Sequence, residues 1–260
     1  MLYPTGATIY MASRSKGRTE EAMKEVTSSN PVNASRLKFL HLDLDNLNIV
    51  RTAANTFLEQ ESRLDILWNN AGIGHVPAGS KTKQGIEAHM GVNIVGPLLF
   101  TQLLLGPLRA AASSSPKNSV RVIWTGSHFM EVKAPTGGYN LKDIENGGTN
   151  DPHINYTSSK AANWMLANPG NLKTHIYHTQ PALMMFFVNR LFLHRPKLGA
   201  YTELFAGLSK EVTEKDQGAY IIPWGRIQPV NPRTDIYEAM EEGKGKKLWK
   251  WCEEQIKAHA

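Results

Sequence analysis

A single cysteine, Cys252, stands in the 260 residues. It excludes an intrachain disulfide and any cysteine-based metal site, and it fits a reducing, cytoplasmic compartment. No apolar run reaches the ~20 residues that a bilayer span needs. The longest is ALMMFFV at 182–188, broken by Asn189 and Arg190 before LFL. It reads as an amphipathic helix over a pocket, with a peripheral membrane contact as the alternative. The first 15 residues lack a basic start followed by an apolar stretch, so no secretory leader is expected. Charge of one sign is also scarce: 29 Lys and Arg face 23 Asp and Glu, for a net +6 and a pI near 9.3. The cations are scattered except for KGKKLWK at 244–250, which reads as the solvated face of a terminal helix. A nucleic-acid partner is therefore not expected.

What is present is a hydrophobic content of 41%, enough for one sizeable core, so residues 1–260 are expected to form one domain. Apolar runs and helical spacings alternate. Gly6–Ser13 reads as a buried strand ending at Arg14, and Lys16–Ser28 carries helix formers. Leu37–Leu44 is a second strand, Asn48–Ser62 a helix, and Leu64–Gly72 a third strand. Ile86–Ala112 has a long helical pattern with an expected bend at Gly96-Pro97. Ser119–Ser127 is a fourth strand, followed by helical patterns at Tyr156–Ala167 and Pro181–His194. A short strand in GAYIIPWG precedes a terminal helix over Pro232–His259. Runs such as VRVIW are apolar on both faces, as in a sheet covered by helices on both sides. The fold class is α/β with a doubly wound, mostly parallel sheet, and such sheets bind ligands beyond the carboxyl ends of their strands.

Three features converge on chemistry there. Asn69-Asn70-Ala71-Gly72 closes one strand; taken alone, it reads equally well as a structural turn. Ser127 closes the next. Tyr156 and Lys160 stand at i and i+4 in YTSSK, on one helical face. Alone, that spacing fits a surface pair. Beside the Asn turn and the serine it fits acid–base chemistry, because an ammonium favours a phenolate whose unperturbed pKa is ~10. Ser127 suits donation to a carbonyl oxygen. Asn93, a polar amide in the middle of MGVNIVG, suits a helix distortion and a water-borne proton relay.

This set resembles the short-chain dehydrogenase/reductase family, in particular the retinol-dehydrogenase-like branch and its fungal members. The stretches that carry the likeness are YMASRS, LDLDNL, NNAG, PAGSKTKQG, GVNIVGPLLFTQLL, YTSSKAAN, NPGNLKT and the tail from YIIPWG to CEEQ. The resemblance implies a Rossmann-like fold and hydride transfer with a nicotinamide dinucleotide. It implies that Tyr156 moves the proton, Lys160 holds the nicotinamide ribose, Ser127 orients the carbonyl and Asn93 joins the relay. Asp43 would meet the adenine, Asn70 the adenosine side and Thr174 the carboxamide. Arg14 stands where NAD users carry an acid and suits a 2′-phosphate, so NADP is favoured over NAD. A carbonyl compound or secondary alcohol is the implied substrate; MMFF at 184–187 suggests an apolar, aromatic pocket lining and so a hydrophobic one, with secondary metabolism the expected setting and a homo-oligomer left open.

Two stretches of the family pattern are absent. LYPTGA matches only the tail of the first family helix, so the first strand and the glycine-rich turn that cradles the pyrophosphate have no counterpart. Between WMLA and NPGNLKT the sixth strand is also missing. The sheet is expected to be incomplete and dinucleotide binding weakened. The competing class of function is a non-catalytic remnant of the family.

Overall fold

The computed structural model describes residues 1–28, 31–74, 76–163, 196–228 and 233–260. Strand β1 (Ile9–Ser13) leads into helix α1 (Lys16–Ser28) and then β2 (Leu37–His41), which lies parallel to β1 with Ile9 opposite Leu37 and Ser13 opposite His41. Helix α2 (Leu47–Gln60) starts where the Asn46 side chain accepts a hydrogen bond from the Asn48 amide at 3.1 Å, satisfying an orphan N–H. Its buried residues Leu47, Val50, Ala53, Ala54 and Phe57 share one face. Strand β3 (Ile66–Asn69) pairs in parallel with β4 (Arg121–Trp124).

The expected single sheet is realised as separate pairs: β1 with β2, β3 with β4, and an antiparallel hairpin of β5 (Tyr220–Ile222) and β6 (Arg226–Gln228) around Gly225, at φ 75°. Among the described residues no ladder joins β1 to β3, so the expectation of an incomplete α/β sheet holds. The two parallel pairs are united from the side instead. One hydrophobic cluster runs through Leu40, Val50, Phe57, Val95, Leu99 and Leu104, and Tyr10 of one pair and Leu67 of the other both pack on it.

Helix α3 (Ala88–Leu103) carries that cluster, with Gly91–Val95 widened into a π turn. The bend expected at Gly96-Pro97 lies elsewhere: α3 runs through Pro97, and a 57° turn at Leu104 leads to α4 (Leu105–Ser114). The reason is a distant partner. Pro97 has no N–H for the carbonyl four residues back, and that carbonyl, Asn93 O, accepts from Asn163 Nδ2 at 3.0 Å instead. Gly96 lets α3 press against the chain after β2, since a Cβ there would sit 2.9 Å from Leu44 O.

Short helices α5 (His128–Lys133) and α6 (Leu141–Glu145) precede α7 (Pro152–Ala162), which begins one turn before the expected Tyr156 because Asp151 caps it and Pro152 starts it. Helix α8 (Pro196–Leu208) lies over β3 and β4. Gly207 admits the Trp68 indole, whose ring would lie 2.5 Å from a Cβ, and the Arg121 guanidinium donates to the carbonyls of Ala206, Ser209 and Val212 at 2.8–3.0 Å. The terminal helix expected over Pro232–His259 is two helices, α9 (Thr234–Glu241) and α10 (Lys244–Ile256), parted by Gly243 at φ 84°. In α10, Leu248, Cys252 and Ile256 face inward while Lys246, Lys247 and Lys250 stay exposed; Lys244, by contrast, donates to Gly137 O at 2.9 Å. Among the described residues no single helix is long and apolar enough to cross a membrane. The stretches at 182–188 and 191–193 and the junction after Ala167 lie outside the described residues.

Candidate active site

The predicted residues gather at the carboxyl ends of the parallel strands, in two groups. The first surrounds α7, which is buried from Asn155 to Ala161. Lys160 is buried, and its ammonium donates to Thr125 O at 2.9 Å, just past β4. Among the described residues that carbonyl is its single acceptor, which leaves two N–H groups for a ligand. Burial pushes the Lys160 ammonium down to about 8, against the charge of Glu203 on α8. Tyr156 lies one turn earlier, 5% exposed, with its ring edge-on to His89 at 6.0 Å between centroids.

Asn93 sits inside the π turn of α3. Its Oδ1 accepts from the Ile73 amide at 2.8 Å, and its Nδ2 donates to Ile73 O at 3.0 Å and to Ser159 Oγ at 2.9 Å. It thereby pins the strand-end turn to α7. The two amide hydrogens are spent and one lone pair on Oδ1 remains. Gly72 lies against this clamp: a Cβ there would come within 2.7 Å of Asn93 Oδ1 and 3.5 Å of Lys160 Nζ.

Asn70 is exposed just beyond β3, and its Oδ1 lies 3.4 Å from Thr125 Oγ1. Ser127 follows Thr125 by two residues. It is the N-cap of α5, accepting from the Phe129 amide at 3.2 Å, rather than the last residue of a strand. A hydroxyl that accepts at a cap keeps its hydrogen, so capping and donation to a substrate oxygen are compatible.

The second group belongs to the other strand pair. Arg14 is exposed directly after β1, and Asp43 follows β2 by two residues, its Oδ1 accepting from the Asp45 amide at 3.1 Å. Burial raises the Asp45 carboxyl, with the Asp43 charge adding to the rise and Lys83 and Arg14 opposing it. Among the described residues no hydrogen bond connects this group to the first. Thr174 lies outside the described residues.

Sequence reasoning missed four participants. Thr125 bridges Lys160 to Glu203. Glu203 carried a readable signal: it is the sole charged residue in LGAYTELFAGL, where an exposed helix would show more. Glu87 and His89 form a buried pair, Oε1 to Nδ1 at 2.7 Å, next to Tyr156, and His89 Nε2 has no partner among the described residues. They stand at i and i+2, the strand period, at the start of a stretch whose pattern reads as helix, so nothing in the sequence marked them as a pair.

The family model described as short chain dehydrogenase matches residues 1–136. A fungal relative, short-chain dehydrogenase/reductase iacJ of Pestalotiopsis fici, is 49% identical, over all of this chain and 85% of its own. The chain belongs to the short-chain dehydrogenase/reductase family. That makes it a member of a family of oxidoreductases with a Rossmann-like fold. The alignment with iacJ runs over 278 positions, more than the 260 residues here supply, so the relative carries residues without a counterpart. Among solved structures, a protein of Mycobacterium paratuberculosis superposes with a TM-score of 0.69 at 25% identity, covering 98% of this chain and 86% of that one. An NADPH-bound carbonyl reductase from chicken fatty liver superposes at 0.57 and 21% identity, covering 84% and 86%.

Proposed function

We propose that the chain is an NADP(H)-dependent oxidoreductase acting on a carbonyl group or secondary alcohol of a hydrophobic small molecule, in the cytoplasm and in secondary metabolism. The observation that carries the reading is the desolvated Lys160 ammonium with two unspent donors, one helical turn from a buried Tyr156. The carbonyl reductase that resembles the chain in fold lends support through its bound NADPH.

The residues fit a dinucleotide. Two hydroxyls of a ribose match the two free donors of Lys160, and Gly72 leaves beside them the space that a side chain would fill. Asn70 would meet the adenosine side, Asp43 the adenine and Arg14 a 2′-phosphate, to which a guanidinium binds in a planar, charge-assisted fork. The bound cofactor supplies or accepts the hydride. In the reductive direction Tyr156 gives its phenolic proton to the substrate oxygen, and the nearby ammonium steadies the resulting phenolate. Ser127 donates to that same oxygen and keeps it within reach of the phenol. Asn93 holds the Ile73 turn and Ser159 in place, and its free lone pair can seat a water that reprotonates the tyrosine by way of Lys160.

Incubation with NADPH or NADH and a panel of hydrophobic ketones and aldehydes tests the reading through loss of reduced-cofactor absorbance. NADPH-dependent turnover of some panel member is expected. A folded protein that binds neither cofactor would favour the non-catalytic remnant.

A further inference from the structure

We propose that Glu203 is the counter-charge of Lys160, a positioning residue that acts through Thr125 to hold the ammonium charged and in place beside Tyr156. The inference rests on the function proposed above and adds to it a residue from the carboxyl-terminal half of the chain, beyond the stretch that the family model matches. Thr125 is the link. Its hydroxyl donates to Glu203 Oε1 at 3.0 Å, and its carbonyl accepts from Lys160 Nζ at 2.9 Å. One residue thus fastens an acid on its side-chain end and a base on its backbone end. Glu203 Oε2 is buried with no hydrogen-bond partner among the described residues. A buried carboxylate with an unused oxygen is costly unless a positive charge lies near.

The placement of α8 makes this geometry specific. Trp68 Nε1 donates to the backbone O of Glu203 at 3.0 Å, and Arg121 donates to Ala206 O in the last turn of the same helix and to Ser209 O just beyond it. The helix is therefore fixed at both the acid and its end. Other charged groups on the surrounding elements are committed elsewhere. Arg121 serves the carbonyls of Ala206, Ser209 and Val212 at and beyond the end of α8, Glu87 faces His89 on α3, and His128 faces Glu131 on α5, which also meets the Tyr220 hydroxyl of β5. His153 begins α7 beside Phe129. Among the described residues, the one charge that acts on Glu203 is Lys160, and the one that acts on Lys160 is Glu203. Burial raises the Glu203 carboxyl to about 7, opposed by the Thr125 hydrogen bond and the Lys160 charge, and it lowers Lys160 to about 8. The pair is doubly charged only in the window between, so activity should be bell-shaped in pH.

The test is a side-chain NMR titration of Lys160 in protein carrying labelled lysine, in wild type and in Glu203→Gln. Glutamine keeps the acceptor for Thr125 and removes the charge. In the variant, Lys160 is expected to lose its proton at least one pH unit lower, and the alkaline limb of kcat/KM moves down with it, about tenfold in rate at a fixed alkaline pH. Glu203→Asp restores both. An unchanged Lys160 titration in folded Glu203→Gln overturns the proposal. The titration needs neither cofactor nor substrate, so it speaks even if no turnover is found and the proposed function fails. If circular dichroism shows Glu203→Gln unfolded, the reciprocal measurement decides. The labelled Glu203 carboxyl should titrate at least one unit higher in Lys160→Met than in wild type, and no change there would overturn the assignment equally.

Discussion

The carboxyl end of the β3–β4 pair and that of the β1–β2 pair are built in opposite ways. At the first, Asn93 spends both amide hydrogens, Lys160 is buried on a backbone carbonyl, and Thr125 is bonded at both ends. At the second, Arg14 stands exposed and Asp43 bonds only to the turn it begins. A group that moves a proton must be held within hydrogen-bond reach of one atom, and its pKa depends on burial; both demand a fixed, dry setting. A group that recognises a phosphate needs only charge and reach. The lesson is that breaking the contacts that fasten the first region, such as those of Asn93, should damage stability as well as chemistry, whereas disturbance of the second should touch affinity alone.

The largest expected effect is on Tyr156→Phe. Turnover should fall at least ~100-fold, the scale of a lost general acid, while circular dichroism and melting temperature stay near wild type. Retained turnover above a few per cent would remove Tyr156 from the proposed role. Next is Asn93→Ala, which strands the Ile73 amide and carbonyl and removes one donor from Ser159 Oγ, whose own hydrogen stays on Tyr156 O at 2.7 Å. A loss on the order of 3 kcal/mol is expected, read as a melting temperature lower by about 6–12 °C. Arg14→Ala is the matching cut in the open region. It should weaken NADPH by about tenfold to a hundredfold, leave NADH nearly unchanged and leave the melting temperature untouched. A fall in stability comparable with that of Asn93→Ala would erase the contrast between the two regions.

The smallest effect belongs to a contact outside both. Arg233 hydrogen-bonds Asp235 at 2.8 Å and holds its carboxyl down to about 2, with the Gly137 amide also donating. Because the folded value lies below the unfolded one near 3.8, the contribution is present in full above that value and is lost as pH falls through about 2. Asp235→Asn should cost about 1–2 kcal/mol at neutral pH in urea titration, and the gap from wild type should close in acid. A variant equally destabilised at both pH extremes would assign the loss to packing.

Much of this was legible because local chemistry wrote it plainly. The α1 range, Lys16–Ser28, agrees with the sequence pattern at both ends. Strand ends followed by Asn70 and Ser127, and the Tyr156–Lys160 spacing, pointed to the residues that the fold gathers into the candidate site. What could not be read depended on distant partners. Pro97 promised a bend, but Asn163, far along the chain, satisfies the carbonyl it frees. Glu203 reaches Thr125 only because Trp68, Gly207 and Arg121 dock α8 on β3 and β4. The split of the sheet into two pairs joined by a lateral core is likewise a packing outcome, invisible in any one segment.

The central claim is that the fastened and the open region grip one and the same cofactor. Calorimetric titration of NADPH into wild type, Arg14→Ala, Lys160→Met and the double variant tests it most directly. The account predicts that wild type binds NADPH, that each single variant binds it at least about tenfold more weakly, and that the double variant gives no measurable heat. NADPH binding that is indifferent to either substitution in a folded protein would contradict it.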